Sequence, residues 1–174
     1  MPEVCHPNKD MPSQRDTRSL NGSILVDGSV DEVWEAWTTP AGIRRFFAPA
    51  CRVNLRVDGA YELLFDLDAP HGEQGGEGMR ILALQPKRMI SFTWNAPPEL
   101  LSVRGQHTHV MVEFEPENLI QTRVTLTHDG WGEGGEWDQA YEYFSQARFT
   151  IVLPRLKASF EGKPMMWSNS KKGD

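Results

Sequence analysis

The sequence predicts a single α+β domain in which a curved antiparallel sheet of about seven strands closes on a long C-terminal helix. Two changes in the spacing of apolar residues carry this prediction. After a first strand the apolar residues recur at helical spacing, then they alternate with period two, and in the last third they return to helical spacing. The alternating part holds several strand-like runs separated by turn residues, which favours a meander of antiparallel hairpins.

Length and charge limit the class of protein. A chain of 174 residues suits one domain. The formal net charge of -6 argues against a general nucleic-acid-binding protein and against docking on anionic membranes, because both need a basic surface. The N-terminal residues lack the apolar stretch of a secretory signal, and no apolar run approaches the ~20 residues that span a bilayer. We therefore expect a cytoplasmic protein that binds neither nucleic acid nor membrane.

The chain divides into a polar N-terminal tail, one domain and a short C-terminal tail. These are residues 1–18, 19–162 and 163–174. Gly162 is typical of a residue that ends a helix. The tail after it is short, and its apolar residues Met165, Met166 and Trp167 are candidates to fold back onto the domain. The two cysteines, Cys5 and Cys51, are expected to be free thiols in a reducing cytoplasm, with a disulfide between them as the less favoured alternative.

Two short helices are predicted after the first strand. Ser29 and Glu32 have the spacing of a capping box, in which each residue bonds to the backbone of the other. Pro40 ends this first helix and suits the first turn of the next one. The apolar residues at helical spacing are Val33, Trp34 and Trp37 in the first helix and Ile43, Phe46 and Phe47 in the second.

Alternating apolar residues predict strands over residues 51–57 and 61–67, joined by a turn at Asp58-Gly59. A long glycine-rich loop follows, and further strands are predicted up to residue 128. A helix is predicted over residues 137–161, and Pro154 inside it should bend it. The order is thus strand, two helices, six strands and a long helix.

This order is that of the START-like, or helix-grip, fold, which is also the Bet v 1-like fold. Specific segments resemble the family of activator of heat-shock-protein-90 ATPase homologues within that superfamily. They are VDEVWEAWTTPAGIRRFF in the first helices, VDGAYELLF in the first hairpin, ILALQPKRMISFTW around the proline turn, RVTLTHDGW in the last strand and EWDQAYEYFSQARFTIVLPRLKASFEG in the C-terminal helix. The resemblance covers residues 19–162 and implies a cavity between sheet and helix.

The resemblance implies less about partners than about fold. Relatives often have a tryptophan where this chain has Arg148-Phe149, and the glycine-rich loop is unusually long here. The co-chaperone that gives the family its name has a separate chaperone-binding domain, for which this chain has no room. Contact with a chaperone is therefore implied by resemblance only.

The expected site is an apolar pocket between sheet and helix. Large aromatic side chains fill cores, but a sheet that grips a helix at an angle leaves a wedge that favours a pocket. Methionines suit its walls because a flexible thioether adapts to different ligands. The expected ligand-binding residues are Phe47, Tyr61, Phe65, Met79, Trp94, Met111, His128, Tyr141 and Phe144.

Other candidate sites are weaker. His107 and His109 share a strand face, but two ligands without a third of suitable spacing do not predict a metal site. The glycine-rich loop lacks the lysine and the following helix of a phosphate-binding loop. No catalytic triad can be assembled from the sequence, and neither a metal nor a cofactor is expected.

Three functions follow from these observations. The first is binding of a small apolar or aromatic molecule without demonstrable catalysis. The second is a cyclase or dehydratase activity, which would need polar residues to converge in the cavity, such as His128 with Tyr61 or His109. The third is a chaperone-associated interaction module with an exposed apolar patch. A homodimer is compatible with each of them.

Overall fold

The computed structural model describes residues 18–147 and 151–168. Within these residues the chain forms seven strands and five helices. The strands are β1 Leu20–Val26, β2 Ala50–Val53, β3 Tyr61–Leu64, β4 Ile81–Gln85, β5 Met89–Trp94, β6 Thr108–Pro116 and β7 Thr122–Asp129. The helices are α1 Val30–Thr38, α2 Pro40–Arg44, α3 Leu101–Arg104, α4 Glu136–Ala147 and α5 Leu153–Phe160. The predicted α+β class is confirmed. The expectations for Cys5 and for Arg148-Phe149 lie outside the described residues.

The strands form two antiparallel sheets and not one continuous sheet. Five strands make a sheet in the order β1-β7-β6-β5-β4, and β2 pairs only with β3. An isolated β-bridge between Ala60 and Arg80 joins the two sheets. Beside it, Tyr61 N–H donates to the Met79 carbonyl at 2.8 Å. The two sheets are separate because the chain between β3 and β4 forms a long loop. We call residues 65–78 of this connection the glycine-rich loop.

The capping box that the sequence predicts begins α1. The Ser29 hydroxyl accepts a hydrogen bond from the Glu32 N–H at 3.3 Å, and the Glu32 carboxylate accepts one from the Ser29 N–H at 2.8 Å. The apolar face of α1 is buried, with Trp37 fully covered. Pro40 begins α2, and the Thr39 side chain caps its first turn. Both predicted helices are confirmed.

The predicted strands over residues 51–57 and 61–67 are too long. A hydrogen bond from Asn54 N–H to the Ala60 carbonyl closes the hairpin, so the residues between them form a loop outside the ladder. Leu55 and Val57 are therefore exposed. The other strand ends at Leu64, which leaves Leu67 52% exposed.

The predicted C-terminal helical segment contains two helices in the described residues, α4 and α5. Pro154 lies in the first turn of α5, and residues 151–152 before it are π-helical. The backbone is therefore helical on both sides of the proline and changes from π-helix to α-helix there. Gly162 follows the end of α5 with φ of +77°, a conformation that favours glycine.

After α5 the chain folds back onto α2. We call residues 163–168 the return segment. Its Met165 N–H donates to the Arg45 carbonyl at 2.7 Å, and the Trp167 indole N–H donates to the Arg44 carbonyl at 2.6 Å. Carbonyls at a helix end lack intrahelical donors, so these bonds satisfy the end of α2.

One face of the five-stranded sheet packs against the helices to form the core. Alternate residues of β6, namely Val110, Val112 and Phe114, are buried. Phe114 contacts Trp34 of α1 edge to face, with ring centroids 5.5 Å apart. None of the described helices is both long enough and apolar enough to cross a bilayer.

Candidate functional site

A cleft of about 450 Å³ opens between the glycine-rich loop, the connection from β5 to α3 and the C-terminal helices. The loop supplies Phe65, and β5 ends in the cleft at Trp94. Phe47 follows α2, while Tyr143 and Phe144 belong to α4. Phe65 and Tyr143 are 43% and 54% exposed, so aromatic surface in this cleft faces solvent.

Three of these aromatic rings contact one another and form one wall of the cleft. The ring centroids of Phe47, Phe65 and Trp94 lie 6.0 to 6.3 Å apart in all three pairs. These separations fall in the range in which tilted and edge-to-face aromatic pairs attract. Phe47 and Trp94 are buried beneath the exposed Phe65, so a ligand in the cleft meets a firmly packed aromatic surface.

Phe144 connects the cleft to a second aromatic cluster behind it. Its ring centroid lies 4.9 Å from that of Tyr143 and 5.1 Å from that of His128. His128 stacks on Trp131 at 4.3 Å, and the Trp131 indole N–H donates to the His128 carbonyl at 3.0 Å. These contacts fix Phe144 in place at the inner end of the cleft.

Arg104 holds the glycine-rich loop against the cleft. Its guanidinium donates to the carbonyls of Gly72 at 2.6 Å and Gly75 at 3.0 Å, and also to that of Ala96. The carboxylate of Glu77 lies 3.8 Å away, and both side chains of this pair are largely buried. Arg104 therefore fixes the loop, and its charge is balanced within the protein.

The position of Gly75 in this loop depends on its lack of a side chain. Its φ is +153°, and a Cβ there would overlap the Leu63 carbonyl oxygen. Asn95 Nδ2 also donates to the Gly75 carbonyl, at 2.9 Å. The loop thus approaches β3 closely enough to bring Phe65 over Trp94.

Arg155 of α5 lines the same cleft from the helical side. It is half-buried, and its guanidinium carbon lies 5.6 Å from the ring centre of Trp167 in the return segment. An arginine in this position is held by a cation–π contact. It brings a positive charge to the helical wall of the cleft.

A second cleft of about 470 Å³ lies between α1, α2 and α5. Its walls include the carboxylates of Asp27, Glu32 and Glu35 and the guanidinium of Arg45. Glu32 serves the capping box, and Arg45 donates to the Ser159 carbonyl at 2.7 Å. Because these groups hold the helices in place, the aromatic cleft is the stronger candidate for a ligand site.

Four of the nine residues expected from the sequence line the aromatic cleft. They are Phe47, Phe65, Trp94 and Phe144. Each lies on a different element: the segment after α2, the glycine-rich loop, β5 and α4. The expectation that sheet and helix bring aromatic side chains together thus corresponds to a cleft in the structure.

The structure places the other five residues outside the walls of this cleft. Tyr61 and Met79 lie in the core, and the Tyr61 hydroxyl donates to the Trp37 carbonyl at 2.7 Å. His128 is buried behind Phe144, and Tyr141 packs edge to face on Trp131 at 5.4 Å. Met111 lies between the buried Val110 and Val112, so strand alternation puts it on the outer face of the sheet.

The exposed histidines do not form a metal centre. His109 lies on the outer face, with Nδ1 3.6 Å from a carboxylate oxygen of Asp129. His107 is exposed just before β6. Over residues 18–147 and 151–168, the chain contains no group of three histidine, cysteine, aspartate or glutamate side chains that could hold a metal ion.

Sequence reasoning missed Arg104, Tyr143 and Arg155 as residues of the cleft. Tyr143 is next to Phe144, and adjacent helical residues point about 100° apart, so helical spacing favoured only one of them for the core. Arg155 lies next to Leu156, which helical spacing assigns to the core, and nothing in that pattern marks the arginine as a residue of a cleft. Arg104 reaches the glycine-rich loop from α3, a contact that sequence spacing does not reveal.

The family follows from comparison with known proteins. A family model described as activator of Hsp90 ATPase homolog 1-like protein matches residues 27–161, which is more than half of the chain. The chain belongs to this family. The match includes every strand and helix of the described structure except β1. A search of curated proteins finds no significant match.

Solved structures share the fold of this family member at low sequence identity. The Aha1 dimer from Colwellia psychrerythraea is 20% identical, with a TM-score of 0.62, and the match covers 83% of this chain and 96% of that one. An HSP90 activator from Plasmodium falciparum is 15% identical, with a TM-score of 0.61 and coverage of 80% and 94%. A protein from Staphylococcus saprophyticus is 19% identical, with a TM-score of 0.62 and coverage of 87% and 98%. These likenesses establish the helix-grip fold.

Proposed function

We propose that this protein binds a small aromatic or apolar molecule in the aromatic cleft. The observation that carries the proposal is the convergence of five aromatic side chains on one open cleft of about 450 Å³. That volume is typical of small-molecule sites, which are mostly apolar with a few polar groups. Phe65 and Tyr143 expose aromatic surface that a ligand would remove from water, and such burial drives association.

The firm packing of the aromatic wall supports binding of a flat ligand. Phe47 and Trp94 are buried, and Arg104 fixes the loop that carries Phe65. Binding therefore orders few side chains, which lowers its entropic cost. A ring of the ligand that packs on Phe65 gains the attraction of an aromatic pair.

The test is titration with N-phenyl-1-naphthylamine, a neutral aromatic probe whose fluorescence rises in apolar surroundings. We expect saturable binding of one probe per chain, weakened about fivefold by Phe65→Ser, since one aromatic contact is lost. Leu119→Ser is the matched control, because Leu119 is 91% exposed on the turn between β6 and β7 and lines neither cleft. Absence of saturable binding, or equal weakening by both variants, would refute the proposal.

The polar residues considered for a cyclase or dehydratase do not converge. The Tyr61 hydroxyl bonds to the backbone of α1, His128 lies against Thr108 in the core, and His109 is on the outer face of the sheet. The geometry therefore favours binding over catalysis by these three residues.

A chaperone-associated role is the second candidate. It is favoured by the family and by apolar side chains exposed beside the cleft, including Leu67, Tyr143 and Ile151. A relative from Plasmodium falciparum is described as an HSP90 activator. Stimulation of the ATPase of purified HSP90 by this protein, lost in Leu67→Ser, would favour this role over ligand binding, because Leu67 does not line the cleft. A dimer, as described for the Colwellia relative, and a cytoplasmic location remain predictions for this chain.

A further inference from the structure

We propose that the cleft selects aromatic molecules that carry an anionic group, that Arg155 binds this group, and that Trp167 positions Arg155. The inference rests on the proposed function and adds the chemical class of the ligand. Its basis is the unequal state of the two arginines in the cleft, Arg104 and Arg155.

Arg104 is already bonded within the protein. It donates to three backbone carbonyls and lies 3.8 Å from the carboxylate of Glu77. A ligand that recruited this guanidinium would have to release the glycine-rich loop. The anionic group of a ligand is therefore not bound by Arg104.

Arg155, in contrast, lacks a carboxylate partner among the described residues. No carboxylate oxygen of the described residues lies within 4 Å of its guanidinium, although the side chain is half-buried. Removing part of a charge from water costs free energy, and an oppositely charged partner offsets that cost. The guanidinium carries five N–H donors, and contact with the Trp167 ring leaves its edge available to a carboxylate or sulfonate.

Trp167 is fixed well enough to act as a positioning residue. Its indole N–H is bonded to the Arg44 carbonyl, and Met165 N–H, two residues earlier, is bonded to the Arg45 carbonyl. These two bonds attach the return segment to the end of α2. The ring face that supports Arg155 is therefore held by α2, and the flexibility of the arginine side chain is reduced.

The acidic residues of the cleft set the orientation of the ligand. Asp66, Glu73 and Glu99 are exposed on the walls formed by the glycine-rich loop and the β5–α3 connection. Their charges repel an anion, although solvent screens them. The anionic group should therefore point to the helical wall at Arg155, with the aromatic body against Phe65 and Trp94.

The test compares two probes that differ by one charged group. 1-Anilinonaphthalene-8-sulfonate carries a sulfonate that N-phenyl-1-naphthylamine lacks. We expect Arg155→Gln to weaken binding of the sulfonate about tenfold and that of the neutral probe less than twofold, since only the first loses a charge-assisted hydrogen bond. Arg88→Gln is the control, because it removes an exposed arginine that lines neither cleft. Equal effects of the two variants on the sulfonate would overturn the inference.

Variants of Trp167 test the positioning role. Trp167→Phe keeps a ring beneath Arg155 and should weaken binding of the sulfonate probe less than Trp167→Ala does. Binding of the neutral probe should be unchanged in both variants. Loss of both probes in Trp167→Ala would mean that the return segment supports the whole cleft, which contradicts a role limited to Arg155. Failure of wild type to bind the neutral probe refutes the proposed function, whereas neutral binding without any preference for the sulfonate refutes only this inference.

Discussion

The hydroxyl oxygen of Thr108 lies 2.7 Å from Nε2 of His128, and both side chains are buried next to the aromatic cluster behind the cleft. Thr108 also donates to the Trp94 carbonyl at 3.3 Å when its proton points that way. One threonine therefore connects β5, β6 and β7 at the level of the cleft.

Thr108→Val should destabilise the protein by about 1–3 kcal/mol, because it removes a hydrogen-bond partner from a buried imidazole. Urea denaturation measures the change in the free energy of unfolding. Thr125→Val, on the outer face of β7, is the matched control and should change stability by less than ~0.5 kcal/mol. Equal effects would show that the Thr108–His128 contact contributes nothing to stability.

Arg104→Met should destabilise the protein by roughly 3 kcal/mol, because Glu77 would keep a largely buried carboxylate without its cation. Amide hydrogen exchange should also accelerate in the glycine-rich loop, whose carbonyls Arg104 holds. Adding Glu77→Gln to Arg104→Met should recover part of the lost stability. Arg80→Met removes an exposed pair with the Asp58 carboxylate and an exposed hydrogen bond to the Asp58 carbonyl, and it serves as the control. A double variant less stable than Arg104→Met would contradict this account.

Glu136 should make stability depend on pH in the acid range. A hydrogen bond from the Ser102 hydroxyl, with further bonds from backbone N–H groups, lowers the pKa of the Glu136 carboxyl below its usual value of 4.5. Because the folded pKa is lowered, this contribution is complete above the unfolded pKa and is lost as pH falls through the folded pKa. Wild type and Glu136→Gln should therefore converge in stability under strongly acidic conditions. A constant difference at all pH values would exclude the ionised carboxylate as its source.

Gly42→Ala should destabilise the contact between α1 and α2 by about 1–3 kcal/mol. A Cβ on Gly42 would overlap the Glu35 carbonyl oxygen and lie 2.5 Å from Cα of Ala36. Gly105→Ala is the control, since a Cβ there meets open space and the backbone φ is -78°. Thermal denaturation should show a lower midpoint for the first variant only. A midpoint for Gly42→Ala equal to that of wild type would mean that the two helices separate at little cost.

Much of the fold could be predicted because local signals agreed with one another. The Ser29–Glu32 capping box and Pro40 fixed the beginnings of α1 and α2, and alternation identified β6 and β7. The first hairpin was predicted too long, since Leu55 and Leu67 continue the alternation beyond the hydrogen-bonded ladder.

The site was less predictable because its formation depends on contacts between distant segments. Phe47, Phe65 and Trp94 are far apart in sequence, and only the glycine-rich loop brings Phe65 to the other two. Alternation correctly marks Tyr61 as inward-facing, but it does not distinguish a core position from a cleft wall. The apolar residues Met165, Met166 and Trp167 indicate that the return segment folds back, but sequence spacing does not reveal that Trp167 contacts Arg155.

The division of the strands into two sheets has a consequence for local motion. The backbone hydrogen bonds that join the β2–β3 hairpin to the five-stranded sheet lie between residues 58–61 and 79–81, so local unfolding of the hairpin would break few of them. Phe65 follows directly after β3, whereas Trp94 belongs to the larger sheet. The two sides of the aromatic wall thus belong to different sheets. A ligand that contacts both would join them into one cooperative unit and slow amide exchange in β2 and β3 selectively.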